Sequence, residues 1–361
     1  MRGGERCLEA ACELYPNADI FTLEHFPGSV SEKIESHRIV TSYIQKLPGD
    51  VKKFRWYIPL FPHAIEQFDL GGYNCVLSFS HCVAKGVKVP RGIPHTCYCY
   101  TPMRYAWHMR NEYLKNFGHF KRWFANIILD YLKNWDRKTS SRITHFIASS
   151  KNVQNRIKLA YNRDSVIIYP PVDCQRFTIA NGDDGYYLIV SALVPYKRID
   201  IAIEAFAITR RKLVIIGNGP ELPRLKSIAS SQVFFIDNAD DNKVVEYMKR
   251  CKALIFPGEE DFGIVPLEAQ SCGKPVIAYA KGGALETIIG LDQTAKEANP
   301  TGIFFYEQNP AAIADAISLF EKTHERFNPQ ICRDNALRFD RSVFMRKLQS
   351  YIERTIGTKA N

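Results

Sequence analysis

The sequence predicts an α/β protein with two Rossmann-like domains, each a doubly wound parallel sheet. Three observations carry that reading. The chain has 361 residues and a mass of 41.3 kDa, and domains usually run to about 100–200 residues, so two are expected. Many of its short apolar runs are apolar on consecutive residues, which marks strands buried on both faces. Those runs alternate with stretches of helical periodicity, as strands and crossover helices do in parallel sheets.

The elements follow in order. The chain opens on Met1-Arg2-Gly3-Gly4-Glu5-Arg6, a glycine turn running into a helix over 5–14. In a doubly wound domain such a turn follows the first strand. None precedes it here, so either the start lies further upstream or the first domain lacks a strand that belongs at its centre. Strands are expected at 73–79 (YNCVLSF), 144–148 (THFIA) and 165–169 (SVIIY). Pro170-Pro171 cannot continue a central strand, and 181–185 (NGDDG) is a polar, glycine-rich connector. The first domain is therefore taken as 1–172 and the second as 183–340. Strands of the second are expected at 186–190, 212–216, 233–236, 253–256 and 275–279, with helices over 199–209, 220–230, 242–250, 265–271 and 310–323. The last segment, 341–361, carries a helix over 342–355 with Phe344, Leu348, Tyr351 and Ile352 on one side. It is expected to cross back to the first domain.

Composition narrows the classes. Hydrophobic residues make up 46% and charged residues 24%, the balance of a folded globular chain. The longest stretch without a charge is the 15 residues 70–84, short of the roughly 20 apolar residues a spanning helix needs. The N-terminus has no apolar core for a signal peptide. Ten scattered cysteines without a C-x-x-C pair read as reduced thiols of a cytoplasmic protein and argue against a structural zinc site. The net charge is +10, and 101–160 holds 12 lysines and arginines against three acids. Such a field suits polyanions or an anionic membrane surface; a soluble protein that is simply basic fits the same numbers.

The most informative stretch is 256–289 (FPGEEDFGIVPLEAQSCGKPVIAYAKGGALETII), which reads strand, loop, short helix, strand, loop. Glu260 lies in the loop after a strand, where α/β sheets bind ligands. Phe262-Gly263-Ile264 turn the chain into a helix with Pro266 early in it, a favoured place for proline. Free N–H groups at that helix start suit a phosphate. Glu268 sits within about the first turn, in reach of a ribose hydroxyl. Spacing alone equally allows a solvated loop acid at Glu260 and a complement to the helix dipole at Glu268.

The run 260–278 (EDFGIVPLEAQSCGKPVIA) resembles the E-x7-E signature of family 4 of the GT-B glycosyltransferases. On either side, 191–198 (SALVPYKR) followed by IDIAIEAF resembles that family's donor-phosphate loop, and 216–220 (IGNGP) its G-x-G-P turn. In the first domain Gly3-Gly4-Glu5, 80–87 (SHCVAKGV), 97–107 (CYCYTPMRYAW), 146–157 (FIASSKNVQNRI) and 169–173 (YPPVD) resemble the bacterial mannosyltransferase branch of the O-antigen WbaZ type. The resemblance covers nearly the whole chain, with its motifs in order.

That resemblance implies two domains facing a central cleft, the first on the acceptor side and the second holding a nucleotide-sugar. It implies transfer of a hexose, first of all mannose from GDP-mannose, with retention of configuration, to a glycan or polyprenyl-diphosphate-linked acceptor of cell-surface polysaccharide. Lys197 and Glu260 would be the catalytic pair, Lys197 as a point charge on the leaving phosphate and Glu260 on donor-sugar hydroxyls. Gly3, Gly4, Arg198, Gly217, Asp261, Phe262, Gly263, Ile264, Val265 and Glu268 would bind the donor, with Glu268 on the ribose. The alternatives are a plain tight turn at Gly3-Gly4 and a solvated surface lysine at Lys197. No D-x-D triplet occurs, which agrees with a metal-independent mechanism and no cofactor.

The sequence also departs from the family. Tyr100 stands where the branch carries His, and a phenol with a pKa near 10 is a poor base at neutral pH. Ala192 stands where many members carry Arg, with Arg198 as the candidate replacement. His81, Tyr100 and Arg104 are the acceptor-side candidates, and His81 reads equally as a capping or structural histidine. These departures keep a weakened or inactive family member open, and a sugar-nucleotide epimerase of the same architecture is a further alternative. No nucleic-acid motif accompanies the charge, and no G-x-G-x-x-G opens a βαβ unit for a nicotinamide. Finally, 111–138 interleaves Phe117, Phe120, Trp123, Phe124, Ile127, Ile128 and Leu132 with Lys115, Lys121, Arg122 and Lys133. Such a segment reads as an interfacial helix at the inner face of the cell membrane or as a core helix with a solvated basic face.

Overall fold

The computed structural model describes residues 3–48, 54–115, 117–180, 182–291 and 299–357, so of the segments above Met1, Arg2, residues 49–53, Asn116, Asn181, residues 292–298 and residues 358–361 lie outside the described residues. The chain divides into two compact units, 1–171 with 344–361, and 172–343. In chain order the strands are β1 (Ile20–Thr22), β2 (Ile39–Thr41), β3 (Val76–Ser80), β4 (His95–Cys99), β5 (His145–Ala148), β6 (Val166–Ile167), β7 (Tyr186–Val190), β8 (Lys212–Ile216), β9 (Val233–Ile236), β10 (Leu254–Phe256), β11 (Val276–Tyr279) and β12 (Gly302–Phe305). Their ladders are parallel.

In the second unit the sheet order is β12-β11-β10-β7-β8-β9. From β7 the chain steps outward through β8 to β9, then returns to the other side of β7 and steps outward again from β10. The order reverses between β7 and β10, and their carboxyl ends flank the point where open α/β sheets bind ligands. Successive side chains go to opposite faces. Tyr187, Ile189, Leu213, Ile215 and Ile255 meet Ala202, Phe206, Ile313 and Ile317 on one face, while Tyr186, Leu188, Val214, Ile216 and Leu254 meet Val245, Met248 and Ala269 on the other. This two-sided burial is what the consecutive apolar runs encode. The chain enters the unit at Val172, whose N–H donates to the Phe339 carbonyl at 3.1 Å, and Phe177 is already buried in its core.

The first unit carries a sheet of order β3-β4-β5-β6 and a separate β1-β2 pair. One face of the larger sheet, through Tyr98 and Ile147, is covered by Cys7, Ala10 and Ala11 of the helix Gly3–Leu14 and by Phe344, Leu348 and Ile352 of the last helix, Arg341–Gly357. The other face, through Cys97, Cys99, Phe146 and Ala148, is covered by Val153, Ile157 and Tyr161 from the helix Lys151–Tyr161. The glycine turn expected ahead of the first helix is instead its opening turn: Gly3 and Gly4 are helical, and Glu5 places an acid where the helix N-terminus favours one.

Candidate functional site

Three loops at the carboxyl ends of β7, β10 and β11 converge in the second unit. After β7, Ser191 donates its N–H to the Ile216 carbonyl at 3.0 Å and Leu193 its own to the Asn218 carbonyl at 2.9 Å, so 191–193 lies along 216–218. Gly217 permits this contact: its φ is +151°, and a Cβ there would stand 1.9 Å from the Ser191 carbonyl oxygen. The loop then makes the short 3-10 turn Pro195–Lys197, and Arg198, at φ +51°, starts the helix Ile199–Thr209. The Arg198 side chain turns to Asp200 of that helix, Nε to Oδ1 at 3.3 Å.

Glu260 follows β10, and its carboxylate forms an ion pair with Lys197 Nζ. The side chains are 13% (Lys197) and 25% (Glu260) exposed. With Ser191, Gly258 and the apolar Ile189, Ile199 and Phe256 they line one recess. Main chain braces it on two sides. A Cβ on Gly258 would lie 2.9 Å from Lys197 Cα. From the loop after β11, Gly283 donates its N–H to the Glu260 carbonyl at 2.8 Å, and a Cβ on Gly283 would lie 2.2 Å from Phe262 Cα.

Asp261, Phe262 and Gly263 are buried, and Gly263, at φ +90°, opens the helix Ile264–Ser271 without a side-chain cap. Its first N–H groups, at Ile264 and Val265, are of the kind that donate to an anion. Glu268 is the fifth residue of this helix, just past its first turn, and only 6% exposed. Behind the helix, Gln270 Nε2 donates to the Thr287 carbonyl at 2.9 Å, Asn335 Nδ2 to Gln270 Oε1 at 2.7 Å, and Arg333 to the Ser271 carbonyl at 2.7 Å. Gly258, Gly283, Gln270, Asn335 and Arg333 escaped the sequence reading. For the glycines the paired G-G at 282–283 is a usable signal; the polar brace has none, because it joins residues distant in the chain.

In the first unit the structure gathers three predicted residues. Tyr100 OH donates to the Gly4 carbonyl at 2.7 Å, a Cβ on Gly4 would touch the Tyr100 ring at 3.4 Å, and the exposed His81 ring lies 6.4 Å from Tyr100 between centroids. Burial pushes the Tyr100 phenol well above its usual pKa, with Cys7 and Tyr98 adding to it, so Tyr100 is a hydrogen-bond donor. Gly3 shares the opening turn with Gly4. Arg104 is half-buried in the following segment, where its carbonyl accepts from the Met109 N–H at 2.9 Å. Among the described residues no group of three His, Cys, Asp or Glu is placed to hold a metal ion, and no helix is long and apolar enough to cross a membrane.

Residues 175–336 match the family described as "Glycosyl transferases group 1". The chain is 26% identical over 264 residues to the alpha-1,3/1,6-mannosyltransferase ALG2 of Saccharomyces cerevisiae, covering 57% of this chain and 52% of that protein. It spans about half the length of the curated relatives it matches. Among solved structures, sucrose-phosphate synthase from Thermosynechococcus elongatus superposes with a TM-score of 0.75 at 17% identity, over 97% of this chain and 92% of that one. Anabaena HepE, solved in complex with UDP and glucose, superposes with a TM-score of 0.67 at 16% identity, over 98% and 96%. These likenesses show the fold, that of the GT-B glycosyltransferases, with two Rossmann-like parallel-sheet domains.

Proposed function

We propose that this chain is a retaining, metal-independent glycosyltransferase that moves a hexose from a nucleotide-sugar to a glycan or polyprenyl-diphosphate-linked acceptor. The observation that carries the reading is the meeting of Lys197 and Glu260 in one recess at the switch point of the second sheet, beside the start of the helix Ile264–Ser271. The family match over 175–336 supports it. The mannosyltransferase among the relatives favours mannose, hence GDP-mannose, and the neighbour solved with UDP and glucose keeps UDP-sugars in the test. We place the enzyme in the bacterial mannosyltransferase branch of the O-antigen type, in synthesis of cell-surface polysaccharide. The second unit takes the donor and the first the acceptor.

The chemistry follows from charge. As the glycosidic bond breaks, the diphosphate gains negative charge and the sugar becomes cation-like. Lys197 meets the first change as a point charge, and the N–H groups of Ile264 and Val265 meet it as fixed dipoles. Glu260 accepts hydrogen bonds from the sugar and Glu268 from the ribose, each contributing about 1.5–3 kcal/mol. Tyr100, held protonated, donates rather than acting as base. The test is a thermal-shift panel of GDP, UDP, GDP-mannose and UDP-glucose. A ligand at 100 times its Kd stabilises by about 2.7 kcal/mol, a shift of several degrees. We expect one nucleotide to stabilise the wild type and Lys197→Ala and Glu268→Ala to lose that shift. A folded protein that none of the four stabilises would end the reading.

The site of work is the inner membrane face. On the helix His119–Thr139, Phe120, Trp123, Phe124, Ile127 and Tyr131 are exposed, at 80%, 62%, 57%, 49% and 47%, while Leu129 and Leu132 are buried. The spacing 120, 123, 124, 127, 131 is one helical face, and the exposed Lys121 and Arg122 of the same helix lie next to it in the chain. Aromatic rings beside basic side chains suit an anionic lipid surface.

A further inference from the structure

Lys197 and Glu260 are each assigned above to a different part of the donor, yet they also form an ion pair with each other. The pair is not a chance meeting of two mobile side chains. Gly258 lies against the main chain of Lys197, and Gly283 bonds the carbonyl of Glu260. Both loops are therefore held at their backbones by these contacts.

We propose that Glu260 is also the residue that releases the product, by taking Lys197 back from the nucleoside diphosphate once the sugar has gone. The inference rests on the reading of this recess as a donor site. With an intact nucleotide-sugar, sugar hydroxyls donate to the Glu260 carboxylate and satisfy it, which leaves Lys197 for the diphosphate. After transfer the hydroxyls are gone. A carboxylate that is three-quarters sheltered then faces an anion with no donor of its own, an arrangement that like-charge repulsion and desolvation both disfavour. Lys197 is the cation already within its reach. Free nucleoside diphosphate must therefore take Lys197 from Glu260 without replacing it, whereas the nucleotide-sugar brings hydroxyls that satisfy Glu260 in exchange.

The experiment is titration calorimetry of GDP, UDP, GDP-mannose and UDP-glucose on the full chain, wild type, Glu260→Gln, Lys197→Met and the double variant, each checked for folding by circular dichroism. For the base that binds, the wild type should hold the sugar nucleotide more tightly than the diphosphate. Glu260→Gln should tighten the diphosphate by at least about fivefold, the lower end of usual coupling, and weaken the sugar nucleotide. In the Lys197→Met background the same change should move diphosphate affinity less than twofold. Equal tightening in both backgrounds would mean simple repulsion from Glu260 and would overturn the proposal, as would unchanged or weaker diphosphate binding in Glu260→Gln. Should Glu260→Gln misfold, the wild-type preference alone decides: a diphosphate held as tightly as its sugar nucleotide overturns the proposal while leaving the donor site standing. Absence of any nucleotide binding by folded wild type overturns the donor reading and this inference together.

Discussion

His95 and Lys85 show what single residues do when the fold closes over them. His95 is fully buried at the start of β4, with Nε2 2.8 Å from Ser78 Oγ and no partner for Nδ1 among the described residues. Burial pulls its pKa down from an ordinary 6.5 to about 4, and the nearby Lys85 adds to the shift. The folded state thus keeps the ring neutral where the unfolded chain takes up a proton. Stability from this site is fully present above pH 6.5 and is lost as the pH falls from there to about 4. We expect melting temperatures followed from pH 7 to pH 4 to fall less steeply in His95→Leu than in wild type; parallel curves would assign the loss elsewhere. Lys85 is only 1% exposed and bonds Asp136 at 2.9 Å, while Trp107 and Tyr161 donate to the same carboxylate at 2.8 and 2.7 Å. In the sequence these are one more lysine and one more acid; no local pattern says that 51 residues of separation will close into a buried pair.

Among the elements, the runs that become β3 and β5 to β11 were legible in the sequence, while β1, β2, β4 and β12 were not. β7, β8 and β9 lie where consecutive Tyr, Leu, Ile, Val and Phe place them. β4 is His-Thr-Cys-Tyr-Cys, all five buried, and polar residues conceal it because its neighbours in the sheet, not its composition, satisfy them. β12 begins at Gly302, where a Cβ would stand 2.2 Å from the Val276 carbonyl oxygen; the glycine is there for close strand approach, yet it reads as a turn. The helix His119–Thr139 posed the opposite problem: its apolar residues are legible, but not which of them face outward. The exposed set predicts binding to vesicles containing phosphatidylserine or phosphatidylglycerol. Co-sedimentation should weaken with added salt and fall at least about tenfold in Trp123→Ser/Phe124→Ser, because each ring withdraws roughly 1.5–3 kcal/mol of apolar burial. Wild type that stays in the supernatant with anionic vesicles at low salt would rule out the lipid-facing role.

At the scale of the molecule, the last helix ties the chain's end to its beginning. Arg341–Gly357 starts in the second unit, and from Phe344 onward it belongs to the first. There Phe344 packs edge-on to Tyr98, ring centroids 5.7 Å apart, in the cluster that holds Cys7 and Ala10 of the first helix. Removing a buried phenylalanine costs about 3–5 kcal/mol. Phe344→Ala should therefore lower the first unit's melting temperature by roughly 10 °C, read by calorimetry. The second unit's nucleotide-induced shift should persist; its loss would mean that the two units melt as one.

The sequence by itself determined the α/β class and the parallel second sheet, because hydrophobic periodicity acts locally and can be read locally. Lys197 and Glu260 were singled out only by the resemblance of their motifs to a family, since spacing alone left both as solvated surface charges. The tertiary structure decided the reversal of strand order between β7 and β10, the recess where Lys197 meets Glu260, the glycine contacts that pin both loops, the hydrogen bond that sets Tyr100 on Gly4, and the outward face of the helix His119–Thr139. Each of these joins residues far apart in the chain. Which partners they find depends on packing and on the satisfaction of buried polar groups, and both are settled only when the whole fold is assembled.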